Sequence, residues 1–372
     1  MKVCVDIQAA VAQRAGVGRY TKCLAEALAA TRRPGDELTL ARLDFKRLGP
    51  PFPAPGARFK AVRFCPGRLA QYCWKTLGWP PYNLLAGRAD VYHFPNFIIP
   101  PLTRGRSVVT IHDASFIRHP EFAESRNLSY LNANIRRTAA RADAILTDSR
   151  FSAREIIELL GAAPERVHAI PLGIAPPPAP PPPERMQALL RAAGVHRPYL
   201  LAVGTIEPRK NLAFLVEVFE AMKDFDGCLA VAGMPGWKFE PILARMRASP
   251  RASRILLLGY QNDETLNALY AGAEALVFPS LYEGFGLPPL EAMARGAPVV
   301  ASGIDVLREV LGTGALMIAG FDAGEWAKAI GGLLRDQEAR ARLSEDGRRQ
   351  AARFTWETTA RETWEIYRQV AS

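Results

Sequence analysis

The sequence FPSLYEGFGLPPLEAMARG, from Phe278 to Gly296, holds the pattern that decides the fold. It follows the apolar run Ala275-Leu276-Val277-Phe278, which reads as a buried strand. It leads into an apolar-periodic helix over Leu287 to Arg295, with two prolines at its start and Gly296 just past its end. Gly284 and Gly286 remove two β-carbons at the turn, so backbone amides can approach a ligand, and the helix start offers N–H groups and partial positive charge to an anion. A phosphate fits such a turn. Glu283 and Glu291 flank it, and carboxylates placed there can accept hydrogen bonds from hydroxyls on either side of a diphosphate, as in a sugar joined to a ribose. The same spacing also fits a glycine-rich turn with two solvated glutamates.

Outward from this turn, strands and helices alternate. In the second half strands are expected at Leu200 to Val203, Cys228 to Ala232, Ile255 to Leu258, Ala275 to Phe278, Pro298 to Ala301 and Leu316 to Ile318. In the first half they are expected at Val3 to Ile7, Leu38 to Leu43, Lys60 to Phe64, Asp90 to Phe94, Val108 to His112, Ala144 to Thr147 and Val167 to Ile170. Such alternation implies mostly parallel sheets covered on both faces, with ligands at the carboxyl ends of the strands. Between the halves, APPPAPPPP from Ala175 to Pro183 can form neither helix nor central strand and reads as an extended linker. The chain therefore divides into residues 1–174, a linker over 185's predecessors at 175–184, a second α/β domain over 185–354, and a last helix over 355–372 that could cross back to the first domain.

Three further positions lie at ligand edges. Gly204-Thr205-Ile206-Glu207-Pro208-Arg209-Lys210-Asn211 opens the second domain, and two adjacent cations before a helix start oppose its dipole and so need an anionic reason to be there. His112, followed by Asp113, ends a β-rich run and could reach a ligand as donor or proton carrier, and His93 has the same claim. Gly16-Val17-Gly18-Arg19-Tyr20 follows the first strand and could receive a phosphate, but Thr21 stands where a dinucleotide fingerprint needs a small residue.

Composition limits the remaining classes. The 372 residues suggest two domains, and 49% hydrophobic content suffices for sizeable cores. Five scattered cysteines without a CxxC argue against a disulfide framework or a zinc site and fit the cytoplasm. No signal peptide is expected, since Met1-Lys2 runs straight into a short strand, and no apolar run could span a bilayer. The net charge of +10 is uneven: Met1 to Ala175 holds 25 Lys and Arg against 14 Asp and Glu, and the remainder 22 against 23. The basic first half suggests an anionic partner: nucleic acid, acidic lipid headgroups or a phosphorylated acceptor. No basic run is interleaved with aromatics as single-strand binders require, and no nucleic acid is expected.

The chain resembles glycosyltransferase family 4, retaining enzymes that use sugar nucleotides and have the two-domain GT-B fold. The likeness spans nearly the whole chain. It rests on GVGRY, HFPNFIIPP, TIHD, TDSRFSAREI, PLGI, GTIEPRKN, AGMPGWK, LGYQNDETLNALYAGA and EGFGLPPLEAMARG, which occur in the family's order. The resemblance implies two doubly wound domains facing across a cleft. It implies that Glu283 contacts the donor sugar and Glu291 the ribose, that the backbone of Gly284, Phe285, Gly286 and Leu287 holds sugar and phosphate, and that Arg209 and Lys210, beside Gly204, meet the diphosphate. His112 would face the transferred sugar, Gly16 and Gly18 would lie in a loop closing on donor and acceptor, and Ser149 matches a position near the donor. Nucleotide choice is expected around Leu258 to Tyr260.

Departure of a diphosphate from an oxocarbenium-like sugar makes electrostatic stabilisation of the leaving group the largest expected contribution. The resemblance further implies retention of configuration and no cofactor or metal. Asp224-Phe225-Asp226 imitates a metal-binding triplet but falls at the amino end of a strand. GTIEPRKN with HFPNFIIPP most resembles bacterial mannosyltransferases of surface polysaccharide assembly. GDP-mannose is then the expected donor and a glycan or polyprenyl-diphosphate-linked glycan the acceptor, with peripheral contact to an anionic membrane through the basic first domain. Glucosyl, rhamnosyl or N-acetylhexosaminyl transfer from UDP- or dTDP-sugars remains the alternative. From other classes, a sugar-nucleotide 2-epimerase and a non-catalytic nucleotide- or nucleic-acid-binding protein remain.

Overall fold

The computed structural model describes residues 1–12, 16–45, 47, 52–122, 125–179 and 181–372. It divides into two compact units. The first comprises Met1–Arg118, Ser125–Gly173 and Thr355–Ser372; the second comprises His119–Glu124 and Ile174–Phe354.

In the first unit, β1 (Lys2–Asp6), β2 (Glu37–Leu43), β3 (Arg58–Val62), β4 (Val91–Phe94), β5 (Arg106–Thr110), β6 (Ala144–Thr147) and β7 (Val167–Ala169) form one sheet in the order β3-β2-β1-β4-β5-β6-β7. Every pairing is parallel. The inner strands β4 and β6 are buried along their whole length, whereas the edge strands β3 and β7 are partly exposed, as a sheet covered on both faces requires. The last helix, Trp356–Ala371, belongs to this unit. Its Trp364 indole donates to the Leu28 carbonyl at 3.2 Å, and Thr359 donates to the Pro171 carbonyl at 2.8 Å. Thr355 caps the helix by accepting from the Thr358 N–H, which fixes where the chain re-enters the unit.

In the second unit, β8 (Tyr199–Val203), β9 (Cys228–Ala232), β10 (Ile255–Gly259), β11 (Ala275–Phe278), β12 (Val299–Ser302) and β13 (Leu316–Ile318) form a parallel sheet in the order β10-β9-β8-β11-β12-β13. Its core gathers Leu200, Phe214, Phe219, Val231, Val277 and Trp326. The short segment from His119 docks here, where the Lys238 ammonium donates to the Glu121 carbonyl at 2.6 Å and the His119 ring meets Tyr282 edge-on.

Several helices extend beyond the sequence-based expectation. Gln8–Ala12, Gly67–Thr76 and Tyr82–Ala86 were not anticipated. Pro183–Ala192 begins inside the expected linker, because proline is tolerated in a first helical turn. Residues Ala175 to Ala179 have no regular structure, and Pro180 of the linker lies outside the described residues.

Candidate active site

The sheet of the second unit starts at β8, winds outward to β10 and returns to β11, so the loops after β8 and β11 leave on opposite faces. The resulting crevice at the carboxyl ends is where ligands bind in such sheets. Two glycines let the loops after β8 and β9 approach. Gly204 has φ 144°, and a β-carbon on Gly233 would lie 1.8 Å from the Gly204 carbonyl oxygen. The turn Pro208–Lys210 then presents two cations, and Asn211, left-handed at φ 54°, redirects the chain into the helix Leu212–Ala221. The Leu281 N–H donates to the Arg209 carbonyl at 2.8 Å, tying the two loops together.

These loops bring Arg209, Lys210 and Glu283 into one cluster. The Lys210 ammonium lies 2.5 Å from Glu283 Oε1, and Arg209 Nη1 lies 2.7 Å from Oε2. The Arg209 Nε side pairs with the buried Glu207 carboxylate. Lys210 also sits 4.7 Å from the centroid of the Phe278 ring, so an aromatic face supports its charge from below. Burial works against an ionised Glu283, but the Arg209 and Lys210 charges outweigh it and bring its carboxyl down to about 2. Burial lowers the Lys210 ammonium and raises the Glu207 carboxyl. Two cations and two carboxylates thus form a nearly neutral, prepositioned group, and an incoming diphosphate can take over cation contacts that Glu283 holds here. A cavity of about 10 Å³, room for roughly one water, adjoins Lys210 between Gly204, Phe278 and Ser280.

Glu291 stands apart from this cluster. It lies in the helix Leu287–Ala294, buried, and accepts from the Tyr270 hydroxyl at 3.1 Å. Gly286 caps that helix at φ 115°, where a β-carbon would come within 2.8 Å of Leu307. The start of the helix offers fewer donors than the turn pattern suggests. Pro288 and Pro289 carry no N–H, and the Leu290 N–H already donates to the Gly286 carbonyl at 3.4 Å. An anion there would meet the backbone of Gly284, Phe285, Gly286 and Leu287 instead. Phe285 is buried edge-on against Phe354, so only its backbone serves that purpose. Tyr260 is exposed just beyond β10, after the left-handed Gly259.

In the first unit the two candidate histidines separate in role. His93 is fully buried, with Nδ1 2.6 Å from the Tyr367 hydroxyl and Nε2 2.8 Å from the Thr110 hydroxyl. Hydroxyls can donate or accept, so neutral imidazole satisfies both contacts. Burial and the neighbouring His112 bring its pKa down to about 3. His93 is a structural link to the last helix. His112 instead has Nδ1 2.9 Å from Asp148 and Nε2 3.2 Å from the Pro95 carbonyl, two acceptors that suit a charged ring. Burial opposes that charge, yet Asp148 outweighs it and the pKa rises. Tyr20 packs edge-on against the ring at 4.7 Å.

Gly16 caps the helix Val17–Thr31 with φ 57°, but Gly18 lies buried within that helix's first turn. The expectation that Gly18 belongs to a loop is corrected: the helix begins three residues before Tyr20, and residues 13–15 lie outside the described residues. Ser149 caps the helix Arg150–Leu160 by accepting from the Ser152 N–H at 3.0 Å. Asp226 pairs with Arg254 just before β9, at that strand's amino end. Sequence reasoning passed over Glu207 and Asp148, although both sit inside quoted motifs, because their partners are fixed only by tertiary packing.

Two doubly wound parallel sheets are the architecture of the GT-B fold, and the cation–carboxylate cluster lies at the switch point of the second. The profile of the family described as Glycosyltransferase Family 4 matches residues 14–176, and that described as Glycosyl transferases group 1 matches residues 191–350. The O-antigen chain mannosyltransferase B of Escherichia coli is 34% identical over 75% of this chain and 74% of its own length. The chain spans 27% to 58% of the length of further curated relatives. Among solved structures, sucrose-phosphate synthase from Thermosynechococcus elongatus superposes with a TM-score of 0.78 at 21% identity, covering 100% of this chain and 99% of the other. Anabaena HepE in complex with UDP-glucose does so with a TM-score of 0.73 at 18% identity, covering 98% and 100%. The chain belongs to the family 4, group 1 glycosyltransferases.

Proposed function

We propose that this glycosyltransferase moves mannose from GDP-mannose to a glycan or lipid-linked glycan acceptor in surface polysaccharide assembly, with retention of configuration and without a metal ion. The observation that carries the reading is the Arg209–Lys210–Glu283 cluster in the switch-point crevice. The 34% identical relative, an O-antigen chain mannosyltransferase, supports the sugar and the setting. As the sugar–phosphate bond breaks, charge grows on the departing diphosphate, and two prepositioned cations stabilise it without reorganisation. Arg209 and Lys210 fill that role. Glu283, held ionised by the same cations, accepts hydrogen bonds from sugar hydroxyls. Glu291 takes the ribose, and His112, charged against Asp148, donates to the transferred sugar. The departing phosphate helps to take the acceptor's proton.

The test is transfer from GDP-mannose, UDP-glucose and a dTDP-sugar to short mannosyl acceptors, with chelator present and the product anomer read by NMR. Transfer from GDP-mannose giving the α-anomer is expected, with Glu283→Gln lowering kcat about a hundredfold or more. Transfer from UDP-glucose alone would replace the mannose reading with a glucosyl one, and an inverted anomer would reject retention.

A further inference from the structure

The strand β11 ends at Phe278, and the chain then runs through Pro279, Ser280, Leu281 and Tyr282 before it reaches Glu283. This short run is tied from both sides. The Ser302 hydroxyl, at the end of β12, donates to the Ser280 carbonyl at 2.6 Å, and the Leu281 N–H donates to the Arg209 carbonyl at 2.8 Å. Arg209 Nη1 also reaches the Tyr282 carbonyl at 3.4 Å. The backbone leading to Glu283 is therefore held from β12 and from the loop after β8, the two strands that flank β11.

The Ser280 side chain is the exception. It is fully buried, yet among the described residues its hydroxyl has no hydrogen-bond partner of ordinary geometry. A hydroxyl left in that state is more costly to bury than a methyl group, so alanine would serve the fold better and the hydroxyl calls for another reason. Two partners lie within reach. One is a water in the adjoining cavity of about 10 Å³. The other is Glu283, which the hydroxyl approaches closely enough to help hold the carboxylate ionised. Lys210, which lines the same cavity, has donors only and cannot take the hydroxyl's proton.

We infer that Ser280 is the positioning residue that keeps Glu283 in place when a donor diphosphate takes over Arg209 and Lys210. The inference rests on the donor chemistry proposed above. Each oxygen of Glu283 has its own cation in the structure, Lys210 at Oε1 and Arg209 at Oε2. A diphosphate carries more negative charge than one carboxylate and draws both cations toward itself, so Glu283 loses its orienting contacts as it comes to meet sugar hydroxyls. The Ser280 hydroxyl, fixed by its anchored backbone, then donates to the carboxylate and holds its direction. Hydrogen bonds to a charged group are the stronger kind. A side chain that is costly to the fold and needed by the site is the form a stability–activity trade-off takes at a single position.

The test compares Ser280→Ala and Ser280→Thr with the wild type in transfer from GDP-mannose, UDP-glucose and a dTDP-sugar, alongside titration of the matching nucleoside diphosphate and thermal melting. On the donor that the wild type turns over, Ser280→Ala should lower kcat about tenfold while donor KM and nucleoside diphosphate affinity stay within about twofold. Its melting temperature should stay at or above the wild-type value, because an unbonded buried hydroxyl has been removed. Ser280→Thr keeps the hydroxyl and should hold kcat within about threefold of wild type, its extra methyl group entering the adjoining cavity. A wild-type kcat in Ser280→Ala would assign the hydroxyl to a water in that cavity and overturn the inference. A lower melting temperature in Ser280→Ala, with kcat not restored in Ser280→Thr, would show a structural hydroxyl and overturn it as well. A wild type that transfers none of the three sugars would instead defeat the donor reading and this inference together, so the two failures are told apart.

Discussion

Two buried histidines in the first unit are shifted in opposite directions because of what faces their nitrogens. His93 meets two hydroxyls and its pKa falls, while His112 meets a carboxylate and a carbonyl and its pKa rises. A histidine whose folded pKa is raised contributes stability that is full below the ordinary value of about 6.5 and is lost as pH rises through the folded value. Asp148→Asn removes the counter-charge, so the His112 pKa should fall and the variant should lose roughly 3 kcal/mol near pH 6. That deficit should shrink as pH rises. Chemical denaturation across pH, with imidazole NMR, measures both; a deficit independent of pH would show that His112 is neutral in the fold. Sequence alone could nominate either histidine, since both stand at strand ends. Only their partners, 17 to 274 residues away, distinguish them.

At the scale of elements, the parallel strands were legible because buried strands are short apolar runs between turn residues, and β9, β11 and β13 have the expected bounds. The helix Gly67–Thr76 was not, because its exposed side carries Leu69 and Tyr72 and so lacks the polar contrast that reveals an amphipathic helix. The turn after β11 was legible in its glycines and glutamates, but the loop after β8 that carries the cations depends on Gly233, after β9, whose role no local pattern signals. A β-carbon there collides with the Gly204 backbone. Gly233→Ala should therefore cost about 1–3 kcal/mol and move the loop that carries Arg209 and Lys210. The expected outcome is a lower melting temperature together with a raised KM for donor. A change in neither would mean that the two loops pack loosely.

Across the whole molecule, the chain builds two units of nearly self-contained sheets, and the last helix is counted with the first unit although it follows the second in sequence. The two-unit division was readable from seven prolines in nine residues and from alternation repeated on either side. The docking of His119 and its neighbours with the second unit was not, because that contact rests on single side chains such as Lys238 rather than on any periodicity. On the proposed function, the switch-point crevice of the second unit holds a guanosine diphosphate-linked sugar through Arg209, Lys210 and the two glutamates. Isothermal titration with GDP, UDP, ADP and dTDP tests this most directly, with Glu291→Ala as the companion variant. Saturable binding of GDP in preference to the others, weakened about tenfold or more when Glu291 loses its hydrogen bonds to a ribose, is the predicted result. Preference for UDP, or GDP binding that Glu291→Ala leaves unchanged, would contradict it.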